Sequence, residues 1–207
     1  RFLIQTGVSL IMIFGGGVVL NELGGLLFGF PLQLGIFGAT FTIFATTGVI
    51  NALNMIDGVD GLSGTISLVS LLLIGAATLI AGDQHNLILI CALTGGIAGF
   101  LYFNFRHPTQ HHARVFLGDN GSMLLGLMFA WLLIDLSQGS NPAISPVTAI
   151  WLFSVPLMDA IAVMLRRICV GQSPFASDRQ HLHHLLMRSG FRVVEIVFCL
   201  TFFHSLL

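Results

Sequence analysis

Long runs of apolar residues alternate with short polar connections along the whole chain. Seven runs approach the roughly 20 residues that a helix needs to cross a bilayer. No ten-residue stretch alternates between apolar and polar positions in the way that a membrane barrel requires. Because backbone polar groups in lipid must be bonded within the segment, we predict helices. The predicted spans cover residues 2–20, 33–52, 63–81, 86–104, 121–137, 143–165 and 193–207.

Composition supports the prediction of a membrane protein. Hydrophobic residues make up 55% of the 207 residues and charged residues only 8%, whereas roughly a quarter of a soluble domain is charged. We therefore predict an all-α, polytopic integral membrane helix bundle that forms one domain over residues 1–207. The net charge of −1 gives no indication of a nucleic-acid partner. We expect the chain to be truncated at both ends, because it begins at Arg1 and stops inside an apolar run.

The basic residues all fall on one side of this predicted topology. The connections near residues 21–32, 82–85 and 138–142 contain no Lys or Arg. By the positive-inside rule, the other side is cytoplasmic. Three polar connections that are distant in sequence are then expected to converge at the cytoplasmic face. The basic residues on that side are Arg1, Arg106, Arg114, Arg166, Arg167, Arg179, Arg188 and Arg192.

Four amide or carboxylate side chains recur at every third position where the second span ends. On a helix, this spacing keeps three successive side chains within about a third of the circumference. Glycines such as Gly58 follow the same step and leave room for close approach of backbone or ligand. Helix capping accounts for one or two such residues, so four in register predict a functional site. The four are Asn51, Asn54, Asp57 and Asp60.

The connection at 105–120 carries a single carboxylate in a glycine-rich turn before the fifth span. Asp119 either caps that helix or supplies a hard oxygen ligand to Mg²⁺, which prefers a few carboxylates plus substrate phosphates. Spacing alone leaves both alternatives open. The histidines of this connection lack metal-ligand spacing and are expected to be solvated. They are His107, His111 and His112.

The connection at 166–192 contains a cluster of histidine and arginine. From Asp178 onward, the apolar positions fit a short amphipathic helix. His181 and His184 are three residues apart and share one face, with Arg188 one turn further along. The zinc-protease pattern of two histidines around a glutamate is absent, so the cluster predicts phosphate recognition. A basic surface helix that contacts anionic lipid is the alternative.

Asp159 lies inside the predicted sixth span. An acid within a membrane span normally faces the interior of a helix bundle or a polar pathway. We therefore expect Asp159 either to pair with a neighbouring helix or to support the cytoplasmic site from behind.

Three motifs together resemble the bacterial polyprenyl-phosphate N-acetylhexosamine-1-phosphate transferases. They lie at 51–64, 115–126 and 173–191, and details at 144–149 and 181–184 are similar to the branch that uses UDP-GlcNAc. The resemblance implies transfer of GlcNAc-1-phosphate from UDP-GlcNAc to undecaprenyl phosphate with release of UMP. It further implies that the protein lies in the bacterial inner membrane with its active site facing the cytoplasm. The implied reaction is the first membrane step of O-antigen or other envelope polysaccharide synthesis. A homodimer is compatible with it.

The resemblance also implies roles for residues on the nucleotide side of the site. Asp119 corresponds to the family's Mg²⁺ ligand, with Mn²⁺ as an alternative metal. Asp57 and Asp60 correspond to a pair of catalytic acids, of which Asp60 lies near the uracil. Phe116 corresponds to an aromatic residue that stacks on the base.

The histidine motif is implied to act on the diphosphate and sugar. His183 and His184 are its implied catalytic members. The implied substrate-binding residues are Asn51, Asn54, Gly58, Asn104, Phe116, Arg179 and His181.

One family feature has no counterpart in this sequence. The family carries an adjacent Asp-Asp pair in an earlier cytoplasmic loop, upstream of the span at 2–20, and no such pair occurs here. Either the chain is truncated just after that pair or it is a degenerate member of the family, and we expect truncation. The competing functions are a transporter, which would carry ionisable groups near mid-bilayer, and a Mg²⁺-dependent membrane phosphatase.

Overall fold

The computed structural model describes residues 2–25, 30, 32–110, 112–173 and 180–207. These residues form helices and no β-strand, which confirms the all-α prediction. A short 3-10 turn at Gly35–Phe37 precedes the second helix. The helices are α1 (Phe2–Gly16), α2 (Gly38–Ile56), α3 (Leu62–Ala81), α4 (Gln84–Asn104), α5 (Gly118–Asp135), α6 (Pro146–Trp151), α7 (Ser154–Cys169), α8 (Leu182–Arg188) and α9 (Val193–Leu206).

Three helical segments of the described chain are long and apolar enough to cross a membrane. They are Gly35–Ile56, Leu62–Ala81 and Gln84–Asn104, and α1 and α9 are shorter apolar helices. Large apolar side chains such as Ile80 and Ile88 point out of the bundle, as contact with lipid requires. These findings confirm three of the predicted spans. The total of seven spans and the cytoplasmic side of the loops stay predictions.

Helix α2 lies at the centre of the bundle. It packs against α1, α5 and α7, while α3 packs against α4 and α9. The contact with α5 is close, because a Cβ atom placed on Gly126 would lie 2.7 Å from the Cα of Ile50. Small residues permit this kind of backbone approach between membrane helices. The first turns of α5 are thereby held beside the last turns of α2.

The three connections without arginine meet at one end of the bundle. Gln138 accepts a hydrogen bond from the backbone N–H of Asn21 at 2.9 Å. Asn86 donates to both Asp83 and Asp135, at 2.7 Å each. The arrangement agrees with the predicted alternation of helices, which assigns these connections to a common side.

The prediction of one continuous span over 143–165 is wrong, because the chain breaks between α6 and α7. Pro156 explains the break, since it has no N–H for the carbonyl of Leu152 and its ring crowds that carbonyl. The hydroxyl of Ser70 donates to the Leu152 oxygen at 2.7 Å instead. Nε2 of His204 lies 2.8 Å from the same hydroxyl. Side chains of α3 and α9 therefore stabilise the break.

Replacing Ser70 by Ala is expected to destabilise the protein by about 1–3 kcal/mol, the cost of leaving a buried polar group without its partner. The carbonyl of Leu152 and Nε2 of His204 would both lose the hydroxyl. The measurement is the thermal unfolding midpoint in detergent. Ser205→Ala is the matched control, because the exposed Ser205 hydroxyl donates to the carbonyl of Phe202 within α9. Equal midpoints for the two variants would contradict this account of the break.

Candidate active site

The turn between α2 and α3, residues 57–61, is the centre of the candidate site. Gly61 has φ of +87°, and a Cβ atom there would lie 2.8 Å from the ring of Phe105, so glycine is required. The side-chain oxygen of Asn104 accepts from the Gly61 N–H at 2.6 Å, and its Nδ2 donates to the Val115 carbonyl at 2.7 Å. Asn104 is buried, and its amide joins the turn to the segment before α5.

Asp57 stands at the C-cap of α2 and accepts a hydrogen bond from the hydroxyl of Ser63. Burial raises the pKa of the Asp57 carboxyl above its ordinary value, while the Ser63 hydrogen bond opposes the rise. The nearby carboxylates of Asp119 and Asp60 raise this pKa further. Three acids from two different connections therefore lie near one another, and the site concentrates negative charge.

Asp60 forms an ion pair with Arg106, from the segment that follows α4. Nε and Nη2 of Arg106 lie 2.8 Å and 2.7 Å from the same oxygen, Oδ2. The ion pair fixes the orientation of the Asp60 carboxylate and leaves Oδ1 outside this contact. Sequence reasoning did not identify Arg106 as part of the site, since its only signal was a position on the arginine side of the topology.

Asn54 connects α2 to the beginning of α5. Its Nδ2 lies 3.0 Å from Oδ1 of Asp119 and 2.9 Å from the hydroxyl of Ser122. Asp119 lies within the first turn of α5, whose N-cap is Leu117. The cap alternative therefore does not describe Asp119, although a carboxylate in the first turn also interacts favourably with the helix dipole.

His183 of α8 packs against the turn at 57–61. His183 is buried, and a Cβ atom on Gly58 would lie 2.6 Å from its Nε2. Its ring centroid lies 5.9 Å from that of His181 and 4.2 Å from that of His184. Neither ring nitrogen of His183 has a hydrogen-bond partner among the described residues. A buried ring with two unsatisfied nitrogens calls for an explanation, such as a water, an ion or a catalytic role.

The predicted start of the histidine helix differs from the structure. Within the described residues α8 begins at Leu182, with His181 at the N-cap, so His181 precedes the helix. Both His181 and His183 are buried, which disagrees with the alternative of a plain surface helix. The prediction that places Asp178 at the start of this helix lies outside the described residues.

The remaining predicted residues lie at the margins of the site or outside its description. Asn51 exchanges hydrogen bonds with Gln5 of α1 and donates to the Thr47 carbonyl, so it joins α1 to α2. Phe116 is 73% exposed, which leaves its ring available for stacking. Arg179 lies outside the described residues. Asp159 pairs with His181 at 2.9 Å, in agreement with the expected partner on a neighbouring element.

The other loop histidines were expected to be solvated. His107 and His112 are exposed, which confirms this for the two described positions. His111 lies outside the described residues.

The donor set suits Mg²⁺ held jointly by protein and substrate. Among the described residues, no three His, Cys, Asp or Glu side chains stand close enough to hold a metal by themselves. Mg²⁺ is commonly bound by one or two carboxylates together with substrate phosphates and water. Asp57 and Asp119, whose negative charges interact, fit that pattern, because a cation would relieve their repulsion.

Burial lowers the pKa of His183 to about 4, and the neighbouring His184 lowers it in the same direction. An unfolded histidine gains its proton near pH 6.5. Below pH 6.5 the unfolded state therefore binds more protons, and stability is lost as the pH falls toward 4. We expect the unfolding midpoint to fall over this window and to fall less in His183→Gln. His112→Gln is the control, since His112 is exposed, and an identical pH profile for all three proteins would contradict the assignment.

A helix bundle with apolar outer faces, and with acids, histidines and Arg106 gathered around one turn, is the architecture of a membrane protein. The family model described as glycosyl transferase family 4 matches residues 1–137. The chain belongs to this family.

Curated relatives agree with the family match. The chain is 40% identical over 191 residues to the undecaprenyl-phosphate alpha-N-acetylglucosaminyl 1-phosphate transferase of Escherichia coli K12, covering 92% of this chain and 52% of that protein. The protein of the same name from Haemophilus influenzae is 40% identical over 199 residues, covering 96% of this chain and 56% of the relative. The chain thus spans about half the length of the curated relatives it matches.

Proposed function

We propose that the protein containing this chain transfers N-acetylhexosamine-1-phosphate, with GlcNAc-1-phosphate as the expected group, from a UDP-sugar to undecaprenyl phosphate. The observation that carries the proposal is that two other connections, those at 105–120 and 166–192, meet the turn at 57–61. Asp119 bonds to Asn54 in the last turn of α2, Arg106 pairs with Asp60, and His183 contacts Gly58. The names of the relatives support the same reaction.

The reaction needs charge stabilisation more than it needs a base. An oxygen of the lipid phosphate attacks the β-phosphorus of the UDP-sugar, the bond from that phosphorus to the bridging oxygen breaks, and UMP leaves. A phosphate monoester is already ionised near neutral pH, so a direct single displacement requires no strong protein base. Mg²⁺, when bound, would offset the negative charge of the diphosphate.

The residues of this chain have distinct parts in the proposal. Asp119 and Asp57 would hold the metal beside the diphosphate, and Asp60, oriented by Arg106, would lie on the nucleotide side. The histidines of α8 would contact the diphosphate from the other side. Because the ring nitrogens of His183 are buried without a partner among the described residues, a phosphate oxygen at this position would satisfy one of them.

A groove beside the site suits the lipid acceptor. It has a volume of about 280 Å³ and lies between α7, the start of α8 and α9. Apolar side chains such as Met158, Leu185 and Phe203 line it, together with Arg166. An isoprenoid chain would bury apolar surface there, while its phosphate would stay near the polar end of the bundle.

The test is UMP release by the full-length protein in detergent or vesicles. We expect UMP only when undecaprenyl phosphate, UDP-GlcNAc and Mg²⁺ are all present, and a panel of UDP-N-acetylhexosamines identifies the donor. Inorganic phosphate released from the lipid alone would favour a membrane phosphatase. Uptake of the UDP-sugar into vesicles without UMP release would favour a transporter.

The site is proposed to face the cytoplasm of the bacterial inner membrane. The support is the one-sided arginine distribution. We expect a cysteine introduced at His112 and one introduced at Ser140, both exposed, to react with a membrane-impermeant reagent from opposite sides, with all native cysteines replaced. Labelling of both positions from the periplasm would overturn the proposed orientation.

A further inference from the structure

A buried carboxylate on α7 holds the beginning of the histidine helix. Oδ2 of Asp159 lies 2.9 Å from Nδ1 of His181, and both side chains are buried, at 5% and 7% exposure. Oδ1 of Asp159 accepts a hydrogen bond from the backbone N–H of Leu182 at 2.7 Å. That N–H belongs to the first turn of α8 and has no partner within the helix. A single side chain of α7 thus binds both the ring and the backbone where α8 begins.

These contacts fix which nitrogen of His181 carries the proton. A carboxylate accepts hydrogen bonds, so Nδ1 must donate to Asp159. When the imidazole is neutral, Nε2 is then left as an acceptor. A carboxylate on one ring nitrogen sets the tautomer and the orientation of the other.

His183 lies between His181 and the turn at 57–61 and contacts both. The two rings are almost parallel, with an interplanar angle of 6° and centroids 5.9 Å apart. His183 in turn contacts Gly58 so closely that a Cβ atom there would lie 2.6 Å from Nε2. Movement of the start of α8 would therefore change the contact between the histidines and the acid-bearing turn.

We propose that Asp159 is a positioning residue for this site: it orients His181, sets its protonated nitrogen, and holds α8 against the turn at 57–61. The inference rests on the proposed transferase function and deepens it. Asp159 has no role in contacting substrate in this proposal and acts through His181.

The test is a double-mutant cycle in the full-length protein with Asp159→Asn, His181→Gln and the pair. An amide at 159 would accept from Leu182 and donate to Nδ1 of His181, which reverses the tautomer. We expect Asp159→Asn to lower kcat by about 10- to 100-fold, the usual effect of losing such a partner. If Asp159 acts through His181, the double variant is no slower than His181→Gln.

Two further readouts separate positioning from a merely structural effect. The His181 Nδ1–H bonded to a buried carboxylate is expected to give a downfield proton resonance that is absent in Asp159→Asn and in His181→Gln. Asp135→Asn is the matched control, since Asp135 also accepts from a neighbouring side chain, at the other end of the bundle. It is expected to leave kcat unchanged.

The outcomes distinguish the inference from the proposed function. Loss of the resonance together with non-additive kcat values supports the positioning role. Additive kcat values, or a resonance that survives in Asp159→Asn, overturn the inference and leave the transferase proposal intact. Absence of transfer by the unaltered full-length protein overturns both.

Discussion

Replacing Asp119 by Asn is expected to lower turnover of the full-length protein by about 10²-fold or more, the scale of losing one electrostatic stabiliser in an active site. The substitution keeps the size of the side chain and an oxygen that accepts from Asn54. It removes the negative charge that a hard cation prefers. The measurement is turnover as a function of Mg²⁺ concentration, and we expect the variant to require more Mg²⁺ for its residual activity.

Asp135→Asn provides the matched control for this experiment. Asp135 lies at the other end of the same helix and accepts from Asn86, so the same chemical change occurs far from the site. Near-normal turnover of Asp119→Asn with an unchanged Mg²⁺ dependence would rule out the ligand role. A phosphosugar adduct trapped on any Asp would overturn the single displacement.

Gly126→Ala is expected to reduce both stability and turnover. Its Cβ atom would lie 2.7 Å from the Cα of Ile50, and backbone atoms cannot move aside as the end of a flexible side chain can. Overpacking of this kind costs about 1–3 kcal/mol. Separation of α2 from α5 would also move Asn54 away from Asp119, which explains the expected loss of turnover. The measurements are the unfolding midpoint and kcat.

Gly99→Ala isolates the packing effect from helix propensity. Gly99 lies inside α4 and a Cβ atom there meets no other atom within 4 Å. Because Ala favours a helix over Gly by roughly 1 kcal/mol, Gly99→Ala is expected to be neutral or stabilising. If Gly126→Ala is also neutral or stabilising, the close contact between α2 and α5 is not required for stability or turnover.

Hydropathy predicted the uninterrupted helices well and the broken one badly. The predicted spans at 63–81 and 86–104 correspond to α3 and α4 within two residues at each end, because each is a long apolar run. The run at 143–165 is also long and largely apolar, but Pro156 removes a backbone donor within it. Whether such a proline bends a helix or ends it depends on what satisfies the freed carbonyl. The partner is Ser70 on α3, which is distant in sequence.

The candidate site was predictable where its residues share a local motif and not where they meet across the fold. Spacing identified Asn54, Asp57 and Asp60 because they lie in one short segment. Arg106 was missed as the partner of Asp60, since charge and topology indicate a side of the membrane and no specific contact. Asn104 was expected to bind substrate, and the structure adds that its amide bonds Gly61 and Val115.

The most direct test of the proposed transfer follows the β-phosphorus of the donor. The full-length protein is supplied with UDP-GlcNAc labelled with ³²P at the β position, undecaprenyl phosphate and Mg²⁺, and the lipid and aqueous products are separated. The account predicts that the label moves into the lipid fraction in proportion to the unlabelled UMP that is released, and that Asp119→Asn suppresses both. Label retained in aqueous UDP while the sugar moves to the lipid would contradict it.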